Sequence, residues 1–166
     1  ETGRLWETGD PDLQFRVLAG TLAPVSMKDA THAQAVMVPV EDDGGLDPRR
    51  LLQRQSARLA ARGYHPVTAV ELEFYVSTAS QDGKFVLNTP PGMISDPDWQ
   101  QLYQFEELDC ASAFIDDIYR IAEDQKLPVD AVLQEAGPGQ FEINLKHTKD
   151  PATSALDGLL LKRAVK

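Results

Sequence analysis

Two short segments place acidic side chains in a pattern that could hold a cation. "AVELEFYV" sets Glu71 and Glu73 two positions apart among apolar residues. "VLQEAGPGQFEINLKH" sets Glu135 and Glu142 on either side of Gly137-Pro138-Gly139. Side chains alternate faces along a strand, so Val70, Leu72 and Phe74 point one way and Glu71 and Glu73 the other, ~7 Å apart. In the second segment Phe141, Ile143 and Leu145 share one face; Gln140, Glu142 and Asn144 share the opposite one. Each strand then has an apolar face for a core and an acidic face. Glutamate is depleted in strands, so this placement asks for a reason. One reading is the outer face of a half-exposed sheet. The other is a closed site in which facing carboxylates repel and raise each other's pKa unless a cation intervenes. Mg2+ and Mn2+ take carboxylate oxygens, and a glutamate cluster without Cys or His argues against structural zinc.

The Gly137-Pro138-Gly139 stretch is not a phosphate-cradling loop. It lacks the G-x-x-x-x-G-K-[ST] spacing, and no helix follows it. Glycine permits positive φ and close backbone approach, and proline fixes one φ. The stretch reads either as a plain turn or as a loop that sets the separation of Glu135 and Glu142.

Strands and helices must position these residues. Residues 13–18 and 33–40 have strand character, and Val36, Val38 and Val40 share a face by period-two alternation. "GTLAPVSMKDATH" between them reads as a loop, and "EDDGGLDP" as a linker. A helix follows, with Asp47 as N-cap, Pro48 at its first position and Gly63 as its stop. Leu52, Ser56 and Leu59 mark its inner side. Arg50, Arg54, Arg58 and Arg62 form another face, either solvated or in contact with a subunit or an anion. "HPVTAVELEFYV" reads as a strand, and the stretch after it as a long loop with a hairpin around Asp82-Gly83. Residues 106–125 predict an amphipathic helix with Ala111, Phe114, Ile115, Ile118, Ile121 and Ala122 inward. Strand, turn and strand come next, then a helix started by Asp150 and Pro151. The order predicts an α+β or mixed α/β arrangement.

Composition narrows the function class. The 166 residues carry 26 acids against 16 bases, a net charge of −10, which disfavours nucleic-acid binding by phosphate neutralisation. The single cysteine, Cys110, has no disulfide partner within the chain and is expected as a small buried or half-buried residue. No apolar stretch nears the ~20 residues of a membrane span, so no membrane partner and a cytoplasmic location are expected. The sequence opens without Met, and its last helical pattern runs to Lys166 without a stop. A segment of a longer protein is expected.

"ELEFYV" followed by "QEAGPGQFEINL" resembles the glutamine synthetase superfamily, which carries a Glu-x-Glu strand and then a Glu-x-Gly-Pro-Gly-Gln-x-Glu segment. "GTLAPV", "DPR" and "KRAVK" are similar to that family too, and the GPGQFEINL form is most similar to its γ-glutamylpolyamine synthetase-like branch. The resemblance implies the end of a β-grasp domain over residues 1–44. Over residues 45–166 it implies the start of a catalytic domain built on a curved antiparallel sheet. It implies an ATP-dependent glutamate–amine ligase of nitrogen and polyamine metabolism, acting on glutamate, ATP and an amine or ammonia within a ring-shaped homo-oligomer. Glu73, Glu135 and Glu142 would bind one Mg2+ or Mn2+, and Glu71 would help bind a second at the ATP phosphates. Gly137, Gly139 and Gln140 would shape the loop beside them. Asn144 and His147 would lie toward the nucleotide, although His147 by itself also reads as an ordinary surface histidine. The family's remaining metal ligands, substrate arginines and catalytic glutamate would fall beyond Lys166. No catalytic residue is therefore assigned in this segment, and the segment alone is expected to be inactive. Rival readings are an ordinary glutamine synthetase that uses ammonia, a non-catalytic family member, and an unrelated carboxylate–metal phosphohydrolase. A non-catalytic member would be expected to lose metal-site glutamates, and all four are present.

Overall fold

The computed structural model describes residues 14–26, 29–40, 47–79, 85–87 and 102–166. Mixed helices and antiparallel strands form an α+β fold whose sheets are not closed. Strand β1 (Phe15–Val17) pairs with β4 (Met37–Pro39), and β2 (Ala23–Ser26) pairs with β3 (Asp29–Gln34). Helix α1 (Pro48–Ala60) leads to β5 (Glu71–Tyr75), β6 (Ser77–Ala79) and β7 (Phe85–Leu87). Helices α2 (Phe105–Cys110) and α3 (Ser112–Gln125) precede β8 (Val129–Gln134), β9 (Gln140–Leu145) and α4 (Pro151–Val165).

The sheet that matters for function has the order β5-β9-β8, all antiparallel. Its core face comes from the predicted alternation. Phe141, Ile143 and Leu145 are all but fully buried, and Val70, Leu72 and Phe74 pack beside them. Helices α3 and α4 cover this face through Ile118, Ala122, Leu160 and Leu161. Phe74 meets Phe114 edge-on at 5.9 Å and Phe141 at 6.4 Å, spacings typical of favourable aromatic pairs. A register shift between Val129 and Ala131 lets both Val129 and Val132 join the same core. An extra residue in a strand has this effect, because it resets which side chains face inward.

Helix boundaries follow local chemistry. The Asp47 carboxylate accepts from the Arg49 N–H at 2.9 Å, Pro48 takes the first turn, and Gly63 ends the segment at φ +80°. Asp150 repeats the device at α4, accepting from the Ala152 N–H at 3.0 Å. The Thr153 hydroxyl donates to the same carboxylate and lowers its pKa.

Several sequence expectations change. The stretch read as a loop before residue 33 contains the β2–β3 hairpin. The strand expected over 33–40 splits at Ala35 and Val36 into β3 and β4. The helix over 106–125 breaks at Ala111, whose φ and ψ of −93° and 4° leave the helical range. Its inward stripe survives: Ala111, Ile118 and Ala122 are buried, and Phe114, Ile115 and Ile121 are half-buried. Cys110 is exposed, since it precedes the buried Ala111 on the opposite side of the stripe. Leu59, expected on the inner side of α1, is 40% exposed in the last turn of a helix that buries none of its residues fully. The hairpin expected around Asp82-Gly83 is present as β6 paired with β7, with its tip outside the described residues. Arg50 does not stand free on a basic face: it donates to the carbonyls of Pro39 and Val40 at 3.1 and 3.0 Å, tying α1 to β4.

A Cβ at Gly158 would lie 2.8 Å from Cγ2 of Val70. Val70 is β-branched and stiff, so Gly158→Ala should lose about 1–3 kcal/mol by chemical denaturation despite its better helix propensity. Val70→Ala in the same chain should recover part of that loss. Burial raises the pKa of Asp157. The folded state therefore keeps its proton to higher pH than the unfolded state does, and stability falls as pH rises from the ordinary aspartate range through the raised value. Asp157→Asn should remove this fall and melt higher than the parent at pH 7.

Candidate metal-binding face

The register of β5 on β9 builds the face. Glu71 stands opposite Asn144, Glu73 opposite Glu142, and Tyr75 opposite Gln140. The Val76 N–H donates to the Gly139 carbonyl, and the Leu145 N–H donates to the Val70 carbonyl. Hydrogen-bonded pairs therefore fall on the core-facing residues. Glu73 and Glu142 form a non-hydrogen-bonded pair, the kind whose side chains approach most closely, with Cβ atoms roughly 5 Å apart. On the other side of β9, Leu133 faces Glu142. The Glu135 N–H donates to the Gln140 carbonyl at 2.8 Å, so Glu135 continues that register opposite Gln140. All four predicted glutamates thus share one face of one sheet, in the order Glu135, then Glu142 with Glu73, then Glu71 with Asn144.

Gln140 organises the end near the turn. Its amide NH2 donates to Glu73 Oε2 at 2.9 Å. Its amide oxygen accepts from the Gly137 N–H and the Tyr75 hydroxyl, each at 3.0 Å. The Gln140 N–H donates to the Gly137 carbonyl at 2.9 Å and closes the turn. A Cβ at Gly137 would lie 2.7 Å from the Tyr75 Oη and 2.9 Å from Gln140 Oε1, so a side chain there would push the ends of both side chains aside. Gly139 is required by backbone conformation, with φ +69°.

The chemistry of the donors fits a hard cation. Every candidate ligand is a carboxylate oxygen. Glu142 is 9% exposed, and among the described residues no side chain hydrogen-bonds to or pairs with its carboxylate. The Asn144 Oδ1 on the same face is buried without a partner among the described residues. Burying unpaired oxygens next to an opposed carboxylate is costly unless a cation joins them. In the conformation seen, Glu73 is held by Gln140. Among the described residues, no three of His, Cys, Asp and Glu converge as one cation site. His147 is exposed past the end of β9, at the opposite end of the strand from the turn.

Sequence reasoning missed Glu107. It is 3% exposed, and its Oε2 accepts from the Gly139 N–H at 2.8 Å. A signal was available: Glu107, Ala111, Phe114, Ile118 and Ala122 are spaced by three or four residues, which puts an acid on the buried stripe. Gln134 was also missed. Fully buried on the core side, it accepts from the Gln104 N–H at 2.9 Å at the start of α2 and donates to the Glu135 carbonyl.

The profile of the family described as "Glutamine synthetase, catalytic domain" matches residues 45–166. The chain belongs to the glutamine synthetase family. It is 36% identical to the γ-glutamylputrescine synthetase PuuA of Escherichia coli (strain K12), over all of this chain and 36% of that protein. It is 26% identical to a glutamate–isopropylamine ligase of a Pseudomonas species, over 97% of this chain and 35% of that one. The chain thus spans about a third of the length of these curated relatives. A solved GmaS/ADP complex superposes with a TM-score of 0.70 at 20% identity, over 95% of this chain and 36% of its own. The glutamine synthetase of Plasmodium falciparum superposes with a TM-score of 0.62 at 18% identity, over 95% of this chain and 36% of its own. These superpositions establish the fold. Among the described residues no helix is long and apolar enough to cross a membrane.

Gly137→Ala should cost about 0.5–1.5 kcal/mol in chemical denaturation, because the added methyl displaces Tyr75 and Gln140 and weakens the Gly137 N–H to Gln140 Oε1 hydrogen bond. Tyr75→Phe should recover part of that loss by removing the 2.7 Å contact.

Proposed function

We propose that the full-length protein is an ATP-dependent glutamate–amine ligase whose acidic face binds Mg2+ or Mn2+. The observation that carries this reading is the shared sheet face of Glu71, Glu73, Glu135 and Glu142, with Glu73 and Glu142 directly opposed. The family membership and the two amine-ligase relatives support it. Glu73, Glu135 and Glu142 would hold one ion. Glu71, one strand repeat or ~7 Å from Glu73, would serve a second nearer the ATP phosphates. Bound ions would neutralise charge on the phosphoryl group in transfer.

The reaction would join the glutamate γ-carboxylate oxygen to the terminal phosphorus of ATP and expel ADP. The amine nitrogen would then attack the activated carbonyl carbon, phosphate would leave, and the nitrogen would lose a proton. The chain's own residues would prepare the face for this. Gln140 steadies Glu73 by donating a hydrogen bond. Gly137 keeps the turn close to Tyr75, and Gly139 supplies its left-handed corner. Asn144 and His147 would lie toward the nucleotide. Residues 1–44 would end a β-grasp domain and residues 45–166 would begin the catalytic domain, a division supported by the span of the family match. The whole protein would work in the cytoplasm as a ring of identical subunits.

An alkyl amine is favoured over ammonia as nucleophile because two relatives named for amine substrates match nearly the whole chain. The full-length protein, given glutamate and ATP, should release phosphate with putrescine or isopropylamine at a higher kcat/KM than with ammonium. Release with ammonium alone would make it an ordinary glutamine synthetase. No glutamate-dependent release with any amine would overturn the ligase reading. Glu142→Gln should lower kcat by about 100-fold or more without lowering the melting temperature.

A further inference from the structure

We propose that Glu107 is a positioning residue for the acidic face: from helix α2 it fixes the Gly137–Gly139 turn and, through Gln140, the carboxylate of Glu73. This deepens the ligase reading and rests on it only for the ion that Glu73 would hold. Glu107 is 3% exposed, deeper than any of the four proposed ligands. A carboxylate that deep is retained only where donors meet it. The donor seen is the Gly139 N–H, 2.8 Å from Oε2. The Gly139 carbonyl accepts from the Val76 N–H at 2.9 Å. Both polar groups of this one left-handed residue are therefore used, one by α2 and one by the chain leaving β5. The next residue, Gln140, carries the amide that holds Glu73 Oε2.

Helix α2 is itself braced against the same sheet. The Gln104 N–H donates to Gln134 Oε1 at 2.9 Å, and the Tyr103 N–H donates to the Gln134 carbonyl at 3.2 Å. Tyr103 adopts φ +62°, a left-handed conformation unusual for a bulky residue and tolerated where surroundings enforce it. The result is a closed circuit: β8 holds the entry to α2, α2 holds the turn, and the turn joins β8 to β9. A glutamate held this way stays in place when ligands come and go, while Gln140 transmits its position to the metal-facing side. Supporting partners of this kind orient ligands without touching the ion.

The test compares Glu107→Ala, Glu107→Asp and Glu107→Gln in the full-length protein. Two measurements are made: deuterium uptake at the Gly139 amide, and Mn2+ affinity by calorimetry with the metal alone. The parent should protect the Gly139 amide. Alanine and aspartate should raise its uptake about tenfold or more and weaken Mn2+ binding by about 10–100-fold, whereas glutamine, which keeps an acceptor oxygen, should stay within about threefold on both. Rapid uptake at Gly139 in the parent would overturn the proposal. So would a folded alanine or aspartate variant with unchanged uptake and affinity. If neither truncated variant folds, glutamine decides: retained protection and affinity support the acceptor role, and their loss overturns it. A parent that protects Gly139 but binds no Mn2+ would refute the metal reading while leaving the turn clamp standing.

Discussion

The antiparallel register of β5 on β9 is the constraint on which the acidic face depends. It places Glu73 opposite Glu142 and Glu71 opposite Asn144. A slip of one residue would turn every side chain of β5 to the other face. The acids would enter the core, and Leu72 and Phe74 would enter solvent. The core prevents this, because Phe141, Ile143 and Leu145 leave almost no surface exposed under α3 and α4. Hydrophobic burial on one face thus sets the positions of charges on the other.

The same pairing brings like charges close together. Glu73 and Glu142 occupy a non-hydrogen-bonded pair, where side chains approach most closely and repulsion is greatest. Gln140 offsets part of this by donating to Glu73. Glu142 has no such donor among the described residues and sits largely buried. The face is therefore electrostatically incomplete as folded. Glu142 and the Asn144 Oδ1 leave buried oxygens without a donor among the described residues, which costs stability locally.

The end of the sheet near the turn shows what rigidity costs in sequence. A side chain at Gly137 would displace Tyr75 and Gln140, and Gly139 adopts a left-handed backbone. Glu107 and Gln134 are polar residues placed in buried positions to anchor that turn and the helix above it. These residues contribute order more than burial, and each is satisfied by a backbone partner.

Much of this was legible in the sequence. Period-two alternation gave the two faces of β5 and β9, and capping residues gave the starts of α1 and α4. The motifs of "ELEFYV" and "QEAGPGQFEINL" gave the family. Local signals such as these survive because they act over a few residues. The β2–β3 hairpin and the break at Ala111 were not legible, since distant packing outweighs weak local preference there. Glu107 lay in plain view on an apolar helical stripe, yet its partner is 32 residues away. By itself the sequence determined which side of each strand is acidic, because alternation is a property of the extended backbone. Only the tertiary structure decided which acids stand opposite one another and which buried glutamate holds the turn, because register and contact depend on how a shared core is filled.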